Sequence, residues 1–277
     1  MLQQAALVTF WFATILYAAA TVLYGYYFLD KRAVLARYAR FTTGAGFILH
    51  TASILIRWAE TGRFPFQGVF ESLLMAAWAL VLIYFVVEHL TEVKVLGTLA
   101  IPLALVAMVL AQLNFQAPST EMADVLDSWR VGIHVVVINL ANAGFAIGAL
   151  ASLGYLVQQA QLKRHTTNVL FKRLPPLGTA DRLARHAIAY AFPAYTAGIL
   201  LGTIRAAEFD VAGWYLDPRV LLAFTVWLIF GAYLFLRSRT RIGSDAAARL
   251  ALLGIVAVIA LAVVARTVPS GFHIFGQ

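Results

Sequence analysis

The sequence predicts an all-α protein, a polytopic membrane bundle of eight transmembrane helices. Three observations carry this. Of 277 residues, 62% are hydrophobic and 12% charged, against roughly 25% charged in an ordinary soluble domain. Mean hydropathy is +0.81. The apolar residues fall in runs close to the ~20 residues a helix needs to cross the hydrocarbon core. A soluble enzyme, a disordered chain and a coiled coil are excluded on these grounds. There is no cysteine, so the chain itself can neither exchange thiols nor hold a metal through thiolate.

The eight runs cover approximately residues 5–29, 41–59, 69–90, 95–113, 131–158, 187–204, 220–236 and 250–265. The first has no Lys or Arg before it and no small-residue cleavage site, and reads as a span and not as a removed signal peptide. The last two are short and are expected to extend into their flanks. The loops alternate in charge. Those after spans one, three, five and seven hold 15 of the 21 Lys and Arg. The positive-inside rule places this set in the cytoplasm and both termini on the outer, periplasmic face. The net charge of +8 therefore reads as topology, with no nucleic-acid partner. The longest basic loop, residues 163–185, is expected to meet anionic lipid headgroups. We find no repeat and no soluble domain, so residues 1–277 are read as a single transmembrane domain.

Three outer segments are richer than connectors need to be. The first is Gly62-Arg63-Phe64-Pro65-Phe66-Gln67-Gly68-Val69-Phe70-Glu71-Ser72. The second runs from Glu208 through Asp210 and Trp214-Tyr215-Leu216-Asp217-Pro218 to Arg219. The third is the tail around Ser270-Gly271-Phe272-His273. An interfacial aromatic belt explains Trp58, Trp129 or Trp214 singly. It does not explain Asp217, Pro218 and Arg219 beside Trp214.

His50 falls inside the second span, where an ionisable group is costly and marks a candidate site. His134 and His273 fall on the outer face. Two imidazoles on separate elements are how a protein holds haem iron axially. Two outer histidines in eight spans are also unremarkable, and spacing alone leaves both readings open. Asn139 and Asn142 read as interhelical hydrogen-bonding groups. No Ser-His-Asp set, phosphate-cradling glycine loop or His-Glu-x-x-His pattern is present, which speaks against a hydrolase or NTPase.

Taken together, these segments resemble the membrane cytochrome c assembly family, which includes the CcsA/ResC subunit of cytochrome c synthase and HemX-type proteins. The resemblance is carried by Leu49-His50-Thr51, Arg57-Trp58, Gly62 to Pro65, Phe70-Glu71-Ser72-Leu73 and Trp78. It continues in Ser128-Trp129 and His134, in Phe192-Pro193, Gly198 and Gly202, in Gly213 to Arg219, in Trp227 to Leu234, and in Ser270 to His273. It covers roughly residues 40–277.

The resemblance implies that His134 and His273 are axial ligands of a haem b presented to apocytochrome c. It implies that the segment Trp214, Asp217, Pro218 and Arg219 lies against that haem. His50 would then serve a second, membrane-embedded haem. Glu71, Asp210 or Asp217 would orient the ligands, and Arg219 or Arg130 would pair a propionate. The implied partners are apocytochrome c and a CcsB/ResB-like subunit, and the implied location is the bacterial cytoplasmic (inner) membrane. The chain would be a subunit of a synthase (haem lyase), not catalytic alone. Two departures bear on this. The family loop pattern W-G-x-Y-W-x-W-D-P-K-E is thinned to Trp214, Asp217 and Pro218, with Arg219 replacing Lys. Phe235 stands where the family has a span histidine, so His50 lacks its expected co-ligand. The thinned loop favours a HemX-type haem-binding regulator over a full synthase subunit. A haem-free transporter, suggested by Pro102 and Pro193 within spans, ranks last.

Overall fold

The computed structural model describes residues 1–66, 68–115, 128–165, 169–208, 213–239 and 242–267, with backbone only at 169, 170 and 265–267. All regular structure among them is helical. The helices are α1 (Leu2–Asp30), α2 (Ala33–Thr61), α3 (Gly68–Thr91), α4 (Gly97–Leu113), α5 (Trp129–Lys163), α6 (Val169–Arg173), α7 (Leu177–Glu208), α8 (Pro218–Arg239) and α9 (Ser244–Thr267). Seven of them (α1, α3, α4, α5, α7, α8 and α9) are long and apolar enough to cross a membrane, α4 together with the short turn before it. The chain is a multi-pass membrane protein. The two runs that looked short in sequence, at 220–236 and 250–265, do extend into their flanks. The remaining expected span, 41–59, lies in α2, a 29-residue helix. It stands outside the apolar set, its run carrying His50, Arg57 and several Thr, Ser and Gly residues.

The chain forms two compact units. Unit 1 is Met1–Thr120 with Thr167–Pro175, and unit 2 is Glu121–Thr166 with Pro176–Gln277. In unit 1, α1 packs along α2, α3 along α4, and α1 also against α4. Helix α1 ends at Lys31 in the left-handed conformation, and α2 ends at Gly62 with φ 69°, each N–H closing on a carbonyl of the last turn. Glycine makes the second cap inexpensive. The outward faces carry bare apolar side chains such as Phe12, Ile15, Leu55 and Val106. In water this would be an aggregating surface, whereas lipid solvates it.

The core of unit 1 is unusually polar. Thr43, His50, Ser53 and Arg57 fall at intervals of seven, three and four residues along one face of α2 and are buried. Ser53 donates to the Ala6 carbonyl of α1 at 2.9 Å. At one end, Arg57 Nε donates to Glu71 Oε1 at 2.7 Å, with the guanidinium 4.9 Å from the Phe70 ring centre. At the other end, Glu88 is buried, 4.0 Å from Arg40, and the Tyr84 hydroxyl contacts both Glu88 and Tyr24.

Unit 2 is organised by α5 and α7, whose contact is the most extensive of its helix pairs. A Cβ on Gly144 or Gly148 of α5 would fall 2.8 Å from Ala191 or 2.7 Å from Ile188 of α7, and one on Gly198 of α7 would fall 2.5 Å from Ile138 of α5. Small residues spaced by four thus let the backbones meet, as in packed membrane helices. Helices α8 and α9 close the bundle around Phe145, Tyr195, Phe230 and Tyr233. Phe145 and Phe230 stack with ring centres 3.7 Å apart. Arg237 Nη2 donates to Asp181 at 2.6 Å and ties α8 to α7.

The Arg57–Glu71 pair is nearly sealed from solvent. Removing one partner leaves a buried charge uncompensated, at a cost of about 3–5 kcal/mol, whereas replacing both by apolar groups is far milder. We expect Arg57→Ala to lower the unfolding midpoint of the detergent-solubilised protein strongly. The double change Arg57→Met with Glu71→Leu should recover most of that loss.

Candidate functional site

The site grows from the α5–α7 seam. Where α7 presents Gly198 and Gly202, α5 presents His134. The imidazole Nδ1 lies 2.7 Å from the Gly198 carbonyl oxygen. A carbonyl only accepts, so Nδ1 carries the proton and Nε2 keeps its lone pair. A Cβ on Gly202 would lie 2.9 Å from His134 Cε1. One glycine therefore orients the ring through its backbone, and the other makes room for it. A backbone acceptor on one ring nitrogen that leaves the second free to ligate is the usual support of a metal-binding histidine.

His134 faces a cavity of about 150 Å³ in unit 2. Its walls are mostly apolar: Ile138 from α5, Tyr195 and Ile199 from α7, Val220 and Phe224 from α8, and Leu261 from α9. Two further residues distinguish it. Trp214 supplies an aromatic wall, and Arg219 a cation.

The segment that carries these two is built by local rules. Gly213 takes φ 70°, where a side chain would be strained. Residues Trp214–Leu216 form one 3-10 turn, closed by Leu216 N–H onto the Gly213 carbonyl at 2.9 Å. Asp217 then caps α8: its Oδ1 accepts from the Arg219 backbone N–H at 2.8 Å. Pro218 occupies the first helical position, where its missing N–H costs nothing. Asp217 and Arg219 are both buried. The Asp217-Pro218-Arg219 motif is thus a helix start that fixes Trp214 and Arg219 on the cavity wall.

One turn outside His134 is a charge cluster. Arg130 of α5 and Arg205 of α7 both pair with Glu208, the first through Oε1 and the second at 3.3 Å through Oε2. The guanidinium of Arg130 also lies 5.8 Å from the Trp129 ring centre.

The structure thus brings together His134, Trp214, Asp217, Pro218 and Arg219. His50 belongs to unit 1. It is completely buried, with Nδ1 3.2 Å from the Tyr17 hydroxyl and the two rings edge to face. Glu71 is engaged by Arg57. Phe235 lies on an exposed face of α8, some sixteen residues beyond Arg219. Asn139 bonds within its own helix, to the Val135 carbonyl at 2.8 Å. His273 and Asp210 lie outside the described residues.

Sequence reading did not reach the Gly198 carbonyl as the partner of His134, nor the pairing of Glu208 with two arginines. Both depend on which helices are neighbours. The Gly198-x-x-x-Gly202 spacing was the available signal for the first.

Residues 66–273 match a family model described as cytochrome C assembly protein. Over 227 residues the chain is 30% identical to the cytochrome c biogenesis protein CcsA of Chlorella vulgaris, covering 70% of this chain and 71% of that one. It is 29% identical over 239 residues to CcsA of Guillardia theta, covering 79% of each. For CcsA of Synechococcus sp. (strain CC9605) the figures are 26% over 254 residues, with 83% of each covered.

The two α7 glycines give a direct test of the seam. Overpacking a tight contact costs about 1–3 kcal/mol. Gly198→Ala meets Ile138 and Gly202→Ala meets His134, so each should lower the melting temperature of the purified protein. Gly25→Ala, with open space around it, should not.

Proposed function

The chain belongs to the cytochrome c assembly protein family, and from that premise we propose that it handles haem b in cytochrome c biogenesis, holding it on the outer face of the membrane for delivery or attachment to apocytochrome c. The observation that carries this reading is His134: Nδ1 is committed to the Gly198 carbonyl, which leaves Nε2 for iron beside a cavity walled by Trp214 and Arg219. The donor chemistry fits a haem. An imidazole serves iron, an indole and aliphatic side chains cover a porphyrin face, and a guanidinium suits a propionate. His273 is the proposed second axial ligand.

In this reading eight helices span the membrane, α2 included, both termini lie outside, and the membrane is the bacterial cytoplasmic membrane. The whole chain acts as one haem-handling domain. The bound group supplies the iron and the vinyl groups to which acceptor cysteines attach. The chain's own residues bind and orient. The Gly198 carbonyl holds the His134 tautomer, the Asp217 cap holds Trp214 and Arg219 on the wall, and the aliphatic lining excludes water. No cysteine is required of this chain, since the thiols are the acceptor's. A partner subunit of the CcsB/ResB kind completes the proposal. His50, sealed against Tyr17 in unit 1, is proposed as the ligand of any haem that does not depend on His134 and His273.

A second reading, a HemX-type regulator or assembly scaffold that binds haem without passing it on, is favoured by the single Trp214 in a loop where the resembled family has several. Copurification with apocytochrome c decides against that reading.

The test is an absorption spectrum with pyridine haemochrome quantification on the detergent-purified protein. His134→Ala, His273→Ala and the double change are compared with wild type. We expect near-stoichiometric haem b in wild type and loss of most of it in either single variant. Haem that persists in the double variant assigns that fraction to His50. Wild type that takes up no haem, even after reconstitution, overturns the proposal.

A further inference from the structure

The sequence shows no repeat, yet the packing inside the two units does. In unit 1 the most extensive helix pairs are α1 with α2, α3 with α4, and α1 with α4. In unit 2 they are α5 with α7, α8 with α9, and α5 with α9. Helices α1, α2, α3 and α4 thus correspond in order to α5, α7, α8 and α9. One local structure fixes the register. In unit 1, Phe47 stacks on Trp78 with ring centres 5.6 Å apart, and Trp78 Nε1 donates to Thr51 Oγ1 at 3.0 Å. In unit 2, Phe192 stacks on Trp227 with ring centres 5.5 Å apart, and Trp227 Nε1 donates to Thr196 Oγ1 at 3.0 Å. Each threonine stands four residues after its phenylalanine and donates to that residue's carbonyl.

Counting from these anchors aligns the other positions. Ala77, Val81 and Tyr84 of α3 fall on Val226, Phe230 and Tyr233 of α8, and all six are buried. His50 of α2 falls on Tyr195 of α7. Each meets a ring of its unit's first helix edge to face, Tyr17 at 5.8 Å and Phe145 at 5.4 Å. Placing Tyr17 on Phe145 sets α1 on α5 and puts Ala6 on His134. An independent contact agrees. Ser53, which reaches the Ala6 carbonyl, falls on Gly198, whose own carbonyl holds His134.

Four of the residues that line the cavity are Ile138, Gly202, Arg219 and Val220. They fall on Phe10, Arg57, Phe70 and Glu71 of unit 1, which are all buried and touch one another. Arg57 pairs with Glu71 at 2.7 Å and lies 4.9 Å from the Phe70 ring centre, which is 5.5 Å from that of Phe10. We propose that the two units are one four-helix module present twice, and that the cavity beside His134 is the space this quartet fills in unit 1. Where unit 1 has a guanidinium arm, a phenyl ring and a carboxylate arm, unit 2 has Gly202, Ile138 and Val220. These three residues set the size of ligand that the cavity takes. That the ligand is a flat macrocycle rests on the haem reading given above; the space itself does not.

The sequence has no cysteine, so one introduced thiol reports alone. Ala223→Cys puts it on the cavity wall. Leu74→Cys puts it at the corresponding, fully buried position of unit 1. On the purified full chain in detergent, N-ethylmaleimide should modify the first about tenfold faster than the second or more. Ile138→Phe restores the ring that unit 1 carries, and Val220→Met approaches the length of Glu71. Ile138→Phe should slow modification of Ala223→Cys, and lower the haem b affinity of the cysteine-free chain, each by about tenfold, the scale of overpacking a fitted site. Val220→Met should act in the same direction and less. Leu221→Phe, on the exposed face of α8, should change neither.

Equal modification of Ala223→Cys and Leu74→Cys, or a rate that neither filling variant changes, overturns the shared-space assignment whatever haem does. Slowed modification with unchanged haem affinity overturns Ile138 and Val220 as determinants of ligand size. If the thiol results hold and wild type takes up no haem, the cavity assignment stands and the haem reading fails. A circular dichroism melt of each variant separates loss of fold from loss of space. Should Ile138→Phe unfold, Val220→Met carries the same test.

Discussion

Along the α5–α7 seam, each helix lacks a side chain wherever the other must come close. Gly144 and Gly148 admit Ala191 and Ile188, and Gly198 and Gly202 admit Ile138 and His134. In a bilayer there is little hydrophobic force between helices, so close contact and hydrogen bonds must supply the association. The seam supplies both. Its closeness brings a histidine ring within 2.7 Å of a backbone carbonyl on the neighbouring helix. That carbonyl is already committed to its own helix as an acceptor, and its second lone pair takes the imidazole N–H. The tautomer, the cavity wall and the position of Arg130 opposite Glu208 all follow from that approach.

Unit 1 solves a different problem. Its core buries Thr43, His50, Ser53, Arg57, Glu71 and Glu88, which a lipid-facing bundle can hold only if they find partners. They do so across helices. Ser53 reaches the α1 backbone, Arg57 meets Glu71, and Tyr17 meets His50. At the far end, the hydroxyls of Tyr24 and Tyr84 lie 2.5 Å apart. Gly97 makes that pairing sterically accessible, since a Cβ there would fall 2.6 Å from the Tyr24 ring. These contacts hold α1, α2 and α3 in register more specifically than apolar packing would, because each slip of a turn would strand a polar group.

Much of this was legible from residues alone. The helices follow from apolar runs of bilayer length, and the extension of the last two follows from the same arithmetic. Asp217-Pro218 reads as a helix start from local chemistry, and it is one. That Trp214, Arg219 and His134 share one site is what the family resemblance implies, and it is not readable from local pattern. Their convergence depends on α5, α7 and α8 being neighbours, which no local pattern encodes. Glu71 illustrates the limit. As a carboxylate at the start of a span it looked like a candidate to orient a ligand. Its actual environment is the Arg57 guanidinium, which lies near the Phe70 and Phe115 rings, an ion pair set by the return of α3 alongside α2. Phe235, which the resemblance puts at the place of a family histidine, lies exposed on α8. A phenyl ring there asks for no hydrogen-bond partner.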